Sequence, residues 1–285
     1  MRVVAGVDWS EEAFAAAQAA PRLYSLQELI LVHAVDVRPF EDPFFGPTVA
    51  KQVYAEVRRS MEDSGQQLFD RISGLLPTGI PSVRRLCELG APANVILDAI
   101  RSTAADLLVV GAQGLGRLSE LVLGSVSHRV LIQAPCSTLI VKRPLESVKR
   151  VLVAVEGPDD ADILQRWLRS HPFKKPVELS VMTAVPTRHF GDPVAVISHE
   201  SFYEEAVKRA GQFLESVTTP LAGSHYSVKH EVVRGFPTEV IPEMAGGFDL
   251  LLVGSHGRKG LSRFFLGSVS HSLVHRVACP ILVVR

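Results

Sequence analysis

The sequence predicts an α/β protein of two repeated, doubly wound domains, each a parallel sheet flanked by helices. Three observations carry this expectation. Strand-like and helix-like stretches alternate through all 285 residues. The strand-like stretches are continuous apolar runs, which suits strands covered on both faces. The stretch DLLVVGAQGLGRLSELVLGSVSH, from residue 106 to 128, recurs as DLLLVGSHGRKGLSRFFLGSVSH, from 249 to 271.

Taken in order, RVVAGVD (2–8) is the first strand. Ser10 suits the cap of the next helix, and Glu11 and Glu12 complement its positive N-terminus. That helix runs to about Tyr24, and ELILVHAV (28–35) is the second strand. Residues 38–49 hold Pro39, Pro43 and Pro47 among Phe40, Phe44 and Phe45, which predicts a loop. A long helix follows over 49–76, with Val53, Val57, Met61, Leu68, Ile72 and Leu75 as its buried stripe. Strand 82–89, helix 92–103 with Pro92 in its first turn, strand 106–111, helix 124–133 and strand 137–142 complete the first domain.

The second half repeats the order. It has strand 150–156, helix 159–170, strand 177–185, a loop over 186–198, helix 199–219 and strand 226–233, then helix 237–246, strand 249–254, helix 267–277 and strand 280–285. The domains are thus expected over 1–143 and 150–285, and the short tether between them predicts close contact. A chain of this length fits two domains of about 140 residues each.

Composition bounds the function. With 30 basic and 30 acidic residues, the formal net charge is zero. The basic footprint of a general nucleic-acid binder is missing. No apolar run approaches the roughly 20 residues needed to span a bilayer. The N-terminus, MRVVAGVDWS, lacks a signal peptide's apolar core, so a cytoplasmic location is expected. Three cysteines without a CxxC suggest buried thiols rather than disulfides or a metal site.

The repeated stretch carries the chemistry. Each copy reads as a strand, a glycine-bearing loop and a Gly-Ser that opens a helix, spaced Gly-x2-Gly-x9-Gly-Ser. The glycines are Gly111, Gly114 and Gly124 in one half and Gly254, Gly257 and Gly267 in the other. Glycine permits tight turns and close backbone approach. A helix N-terminus offers free N–H groups and a favourable dipole to an anion. Ser125, Val126 and Ser127, like Ser268, Val269 and Ser270, would present those groups, and the serine hydroxyls could reach phosphate oxygens. The bland alternative is that the glycines only turn the chain and the serines only cap helices. Two matching copies in one chain favour the phosphate cradle. No GxxxxGK(S/T) is present, and GxGxxG is not satisfied after the first strand.

These residues resemble the universal stress protein family in its tandem form. The ATP motif of that family, G-x2-G-x9-G-(S/T), is met in both halves, and the endings APCSTLIVK and ACPILVVR are similar to the family's. The resemblance implies a five-stranded parallel sheet of order 3-2-1-4-5 in each half. It implies ATP, with Mg²⁺ as its companion ion, bound over the switch point between strands 1 and 4. It also implies a pseudo-dimer of the two halves, or a homodimer. By the same resemblance, Asp8 at the end of strand 1 reads the ribose or adenine, and backbone groups of Ala34 and Val35 receive adenine. In the second half those positions are Glu156, Ala184 and Val185. Glutamate reaches one methylene further and costs more to order.

The expected function is a cytoplasmic, ATP-binding stress-response regulator with an unidentified protein partner. No catalytic set is evident, so hydrolysis is expected to be slow at most. Two rivals stay open: an ATPase or nucleotidyl-transferring enzyme on this scaffold, and a nucleotide-free interaction scaffold. VDWSEEA after the first strand argues against the SGGxDS of ATP-pyrophosphatases.

Other residues have two readings each. His271 and His275 stand four apart on a helix, a metal-ligand spacing, but read more simply as surface histidines. His33 reads as a packed core histidine. His256, Arg117, Arg258, Lys259 and Arg263 lie in or beside the loops, either contacting phosphates or simply solvated.

Overall fold

The computed structural model describes residues 1–37, 49–114, 123–186, 193–255 and 266–285, with the side chains of 49–53 and 193–201 left aside. Phe40, Phe44, Phe45, Arg117, His256, Gly257, Arg258, Lys259 and Arg263 lie outside the described residues. The chain divides into two compact units, Met1–Glu146 and Ser147–Arg285.

The first unit runs β1 (Arg2–Gly6), α1 (Glu11–Leu23), β2 (Glu28–Val35), α2 (Val49–Ser73), β3 (Val83–Leu89), α3 (Pro92–Thr103), β4 (Leu107–Gly111), α4 (Ser125–Gln133) and β5 (Ser137–Val141). Its strands lie in the order β3-β2-β1-β4-β5, all parallel. The second unit runs β6 (Arg150–Ala154), α5 (Pro158–Ser170), β7 (Val177–Val185), α6 (Pro193–Thr218), β8 (Tyr226–Arg234), α7 (Pro237–Ala245), β9 (Leu250–Gly254), α8 (Ser268–Arg276) and β10 (Ile281–Val284). Its order, β8-β7-β6-β9-β10, is the same and again parallel. The expected 3-2-1-4-5 sheet is therefore present in each half.

Strand order reverses direction at β1 and at β6. Right-handed crossovers then put α1 and α2 on one face of the first sheet and α3 and α4 on the other. The reversal opens a crevice beyond the carboxyl end of β1, where ligands of such sheets bind. The strands β1, β4 and β5 are buried almost throughout.

Local signals explain the helices. The Ser10 hydroxyl accepts from the Ala13 N–H at 3.2 Å and caps α1. The sheet-facing residues of α1 include Ala13, Ala16, Ala17 and Ala20, all buried, and their small side chains let the helix lie close to β4. Pro92, Pro158 and Pro237 each occupy a first turn, where no N–H is needed.

Two boundaries differ from expectation. α6 starts at Pro193, within the stretch read as loop. At a first helical position the fixed φ of proline favours the helix. α2 ends at Ser73, so Leu75 falls beyond the helix and is 47% exposed, while Phe69 joins Leu68 and Ile72 in the core.

Candidate functional site

In the first unit the crevice is built at the end of β1. The last ladder bond there runs from the Val7 N–H to the Val32 carbonyl, 2.9 Å. The next carbonyl, that of Val7, accepts instead from Nδ1 of His33 at 2.9 Å. A carbonyl only accepts, so Nδ1 carries the proton. His33, read as core from the sequence, thus closes the end of the β1–β2 ladder.

Asp8 follows immediately. Its Oδ1 accepts from the Ser10 N–H at 2.9 Å and from the Ser10 hydroxyl. This local turn aims the carboxylate across the crevice. A Cβ on Gly114 would sit 2.6 Å from Asp8 Oδ2. Gly114 is therefore the residue whose missing side chain lets the phosphate loop approach Asp8.

The edge of β2 above β1 completes this end. Along a strand, successive residues turn their backbone groups to opposite edges. The Leu29 N–H bonds to Ser82 and the Val35 carbonyl accepts from the Gly90 N–H at 3.0 Å, so odd residues face β3. Val32 faces β1, and so does Ala34. Since β1 has ended, the N–H and carbonyl of Ala34 open onto the crevice with no partner among the described residues. Val35 lines the same strand end, but its carbonyl is turned away. In the second unit Ala184 has the open position. The Val185 carbonyl is taken twice, by the Gly235 N–H at 3.0 Å and by the Tyr203 hydroxyl at 2.9 Å.

The cradle is the N-terminus of α4. Gly124 is its N-cap and supplies no side-chain cap. The Gly124 N–H bonds to the Ala112 carbonyl, 2.8 Å, and the first intrahelical bond runs from His128 to the Gly124 carbonyl, 2.8 Å. The N–H groups of Ser125, Val126 and Ser127 are left without intrahelical acceptors. Three free N–H groups and the helix dipole are features that favour an anion. α8 repeats this. Gly267 bonds to Ser255 at 2.8 Å and His271 to Gly267 at 2.8 Å, leaving Ser268, Val269 and Ser270 open in the same way.

The motif glycines do different work. A Cβ on Gly111 would lie 2.8 Å from Glu12 Cβ and 2.9 Å from the Glu12 backbone carbon, so Gly111 serves the packing of α1 on β4. A Cβ on Gly124 would meet its nearest atom at 3.5 Å, an ordinary contact. No described neighbour of Gly124 requires a glycine there.

The serine hydroxyls also divide. Ser127 donates to the Gly111 carbonyl at 2.7 Å, and Ser270 to the Gly254 carbonyl at 2.7 Å. Each has spent its only proton, so it meets a ligand through its backbone N–H and ties the cradle helix to the strand. Ser127→Ala should leave the buried Gly111 carbonyl short of a donor. The expected cost is about 1–2 kcal/mol of first-unit stability, read by urea unfolding, with anion binding retained.

The second unit departs at its β6 end. Glu156 is exposed, and its N–H donates to Asp160 Oδ2 at 2.9 Å. Asp160, in the first turn of α5, is only 6% exposed. Its Oδ1 has no partner and sits 1.6 Å from where a Cβ on Gly254 would be. Burial pushes its carboxyl up to about 6; the Glu156 N–H acts against this and the Glu156 charge adds to it. Sequence reading passed over Asp160, because a first-turn aspartate looks like a solvated cap residue.

His271 and His275 stack with ring centroids 4.9 Å apart, His271 exposed. The cysteines are free thiols. Burial, then the Glu62 carboxylate, pushes the Cys87 thiol up, which keeps it protonated and unreactive.

The profile of the Universal stress protein family matches residues 1–142 and again 147–285. The chain belongs to the universal stress protein family. It is 27% identical over 237 residues to universal stress protein Rv2005c of Mycobacterium tuberculosis, covering 79% of this chain and 78% of that one. A putative universal stress protein from Pseudomonas aeruginosa shares the fold, with a TM-score of 0.62, 17% identity, and coverage of 99% and 92% of the two chains. An Arabidopsis thaliana universal stress protein family protein solved with AMP bound is 15% identical over 48% of this chain and 90% of that one, with a TM-score of 0.34. The universal stress protein domain therefore occurs twice here, once with Asp8 at the strand-1 end and once with Glu156.

Proposed function

We propose that the chain is a cytoplasmic, ATP-binding stress-response regulator with its principal site in the first half. The observation that carries this is the uncapped N-terminus of α4 beside Asp8 and the open backbone of Ala34. The N–H groups of Ser125, Val126 and Ser127 hold phosphate oxygens. Asp8 Oδ2 accepts from ribose hydroxyls, and Ala34 offers a donor and an acceptor to the edge of adenine. Mg²⁺ accompanying the nucleotide would neutralise phosphate charge, and Asp8, whose Oδ1 accepts from the Ser10 N–H, is the acidic residue at this end that could help hold it. These groups bind and orient. Hydrolysis is expected to be slow at most. Nucleotide held at this end of the sheet alters the surface a protein partner meets. No described helix is long and apolar enough to cross a membrane, which fits a soluble regulator.

Chromatography of nucleotide released from denatured protein tests the reading, and ATP is expected. Gly124→Val puts a branched side chain at the mouth of the cradle, where an added Cβ stands 3.5 Å from the nearest described atoms. It should weaken first-half ATP binding at least tenfold, about 1.4 kcal/mol, with an unchanged circular dichroism spectrum. Undiminished binding in that variant would overturn the assignment. Steady hydrolysis lost in Asp8→Ala would favour the enzyme reading instead.

A further inference from the structure

The two cradles differ in one buried group. In the first half, what lies nearest a Cβ on Gly111 is the Glu12 Cβ and backbone, not its carboxyl. In the second, the corresponding residue is Asp160, and its carboxyl itself lies against Gly254. Gly254 also belongs to the cradle, since its carbonyl accepts from the hydroxyl of Ser270, whose N–H is one of the three open groups of α8. A single residue without a side chain thus separates the Asp160 carboxyl from the anion site. Ser255, next in the chain, is 1% exposed, so this layer is shielded from solvent. Charges on its two sides interact with little screening.

We infer that anion binding at the second cradle is coupled to protonation of Asp160: the carboxyl takes up a proton when a phosphate-bearing ligand settles on the N-terminus of α8. The inference rests on the reading that α8, like α4, holds nucleotide phosphate. An ionised Asp160 repels the incoming phosphate, and a neutral one does not. The surroundings favour the exchange. Oδ1 has no donor to hold its charge, and Oδ2 has one, the Glu156 N–H. Among the described residues, the charge acting on it is that of Glu156 at the end of β6, which repels; Asp159 and Asp162 lie on the exposed side of α5. α5 packs on β9 and β10, whose strand residues carry no ionisable side chain, and Arg285 follows β10. The raised value near 6 keeps the proton within reach of neutral solution. The first half lacks this arrangement and acts as an internal control.

The test is calorimetric titration of ATP into the full chain carrying Gly124→Val, at about pH 5.5 and about pH 7.5, in buffers of different ionisation enthalpy. Second-half binding should be roughly tenfold tighter at the lower pH. Proton uptake at neutral pH should exceed that of the same chain with Asp160→Asn; the subtraction removes protons taken up by ATP itself. Equal uptake with and without Asp160→Asn would overturn the coupling while leaving the second site intact. Absence of ATP binding at both pH values, with first-half binding retained in the unmodified chain, would instead remove the second-half nucleotide reading and the inference with it. Should the asparagine variant fold poorly, the pH dependence of the Asp160-bearing chain, set against that of a Gly267→Val chain reporting the first half alone, decides the same question.

Discussion

Replacing Asp160 by asparagine is expected to stabilise the second unit by about 3 kcal/mol near pH 8 and to change little below about pH 4. The fold raises this carboxyl from 3.8 to about 6, chiefly by burial, so the neutral form is the one it prefers. The associated stability is complete below about 3.8, declines as pH rises, and is gone above about 6. Each unit of the displacement corresponds to about 1.4 kcal/mol. Asparagine keeps an acceptor for the Glu156 N–H and never ionises, so the variant should lose this pH dependence. The chain has two tryptophans, one in each half, so Trp167 reports the second unit once Trp9 is replaced by phenylalanine. Urea unfolding followed at Trp167 across this range measures the difference. A difference that stays constant with pH would exclude burial of a titrating Asp160.

Gly111→Ala is expected to destabilise the first unit by about 2–3 kcal/mol, whereas Gly124→Ala should cost well under about 1 kcal/mol. Both are motif glycines, and the sequence treats them alike. The atoms facing a Cβ at 111 belong to the first turn of α1, including its backbone, and cannot swing aside. Those facing a Cβ at 124 stand at ordinary contact distance. Gly254→Ala is an intermediate case, because the obstacle is the end of the Asp160 side chain. That side chain can rotate into water, so Gly254→Ala should bring the Asp160 carboxyl back toward 3.8, its ordinary value. Thermal or urea unfolding of the three variants ranks them. Equal costs at 111 and 124 would contradict the packing account.

Much of this was legible from local pattern. Alternating apolar runs and helical stripes depend on neighbours a few residues apart, and so does the Gly-x2-Gly-x9-Gly-Ser spacing. The repeat of whole domains followed, while the sheet order came only from the resemblance to the universal stress protein family. Helix caps at Ser10 and Pro92 were equally readable, because a cap acts within its own turn. Pro193 was misread since one residue type marks both a break and a first turn, and only the following backbone distinguishes them.

What the sequence determined alone was the pair of α/β domains and the two glycine loops feeding helix N-termini, encoded by periodicity and spacing along the chain, with the family added by resemblance to its motif and endings. Which edge Ala34 and Val35 turn their backbone to depends on where β1 stops. That the Ser127 proton goes back to Gly111, that His33 closes the ladder at Val7, and that Asp160 is buried against Gly254 depend on contacts across roughly 16 to 100 residues of chain. Only the tertiary structure decided them, because a side chain's burial and partners are set by which strands and helices meet, not by its neighbours in sequence.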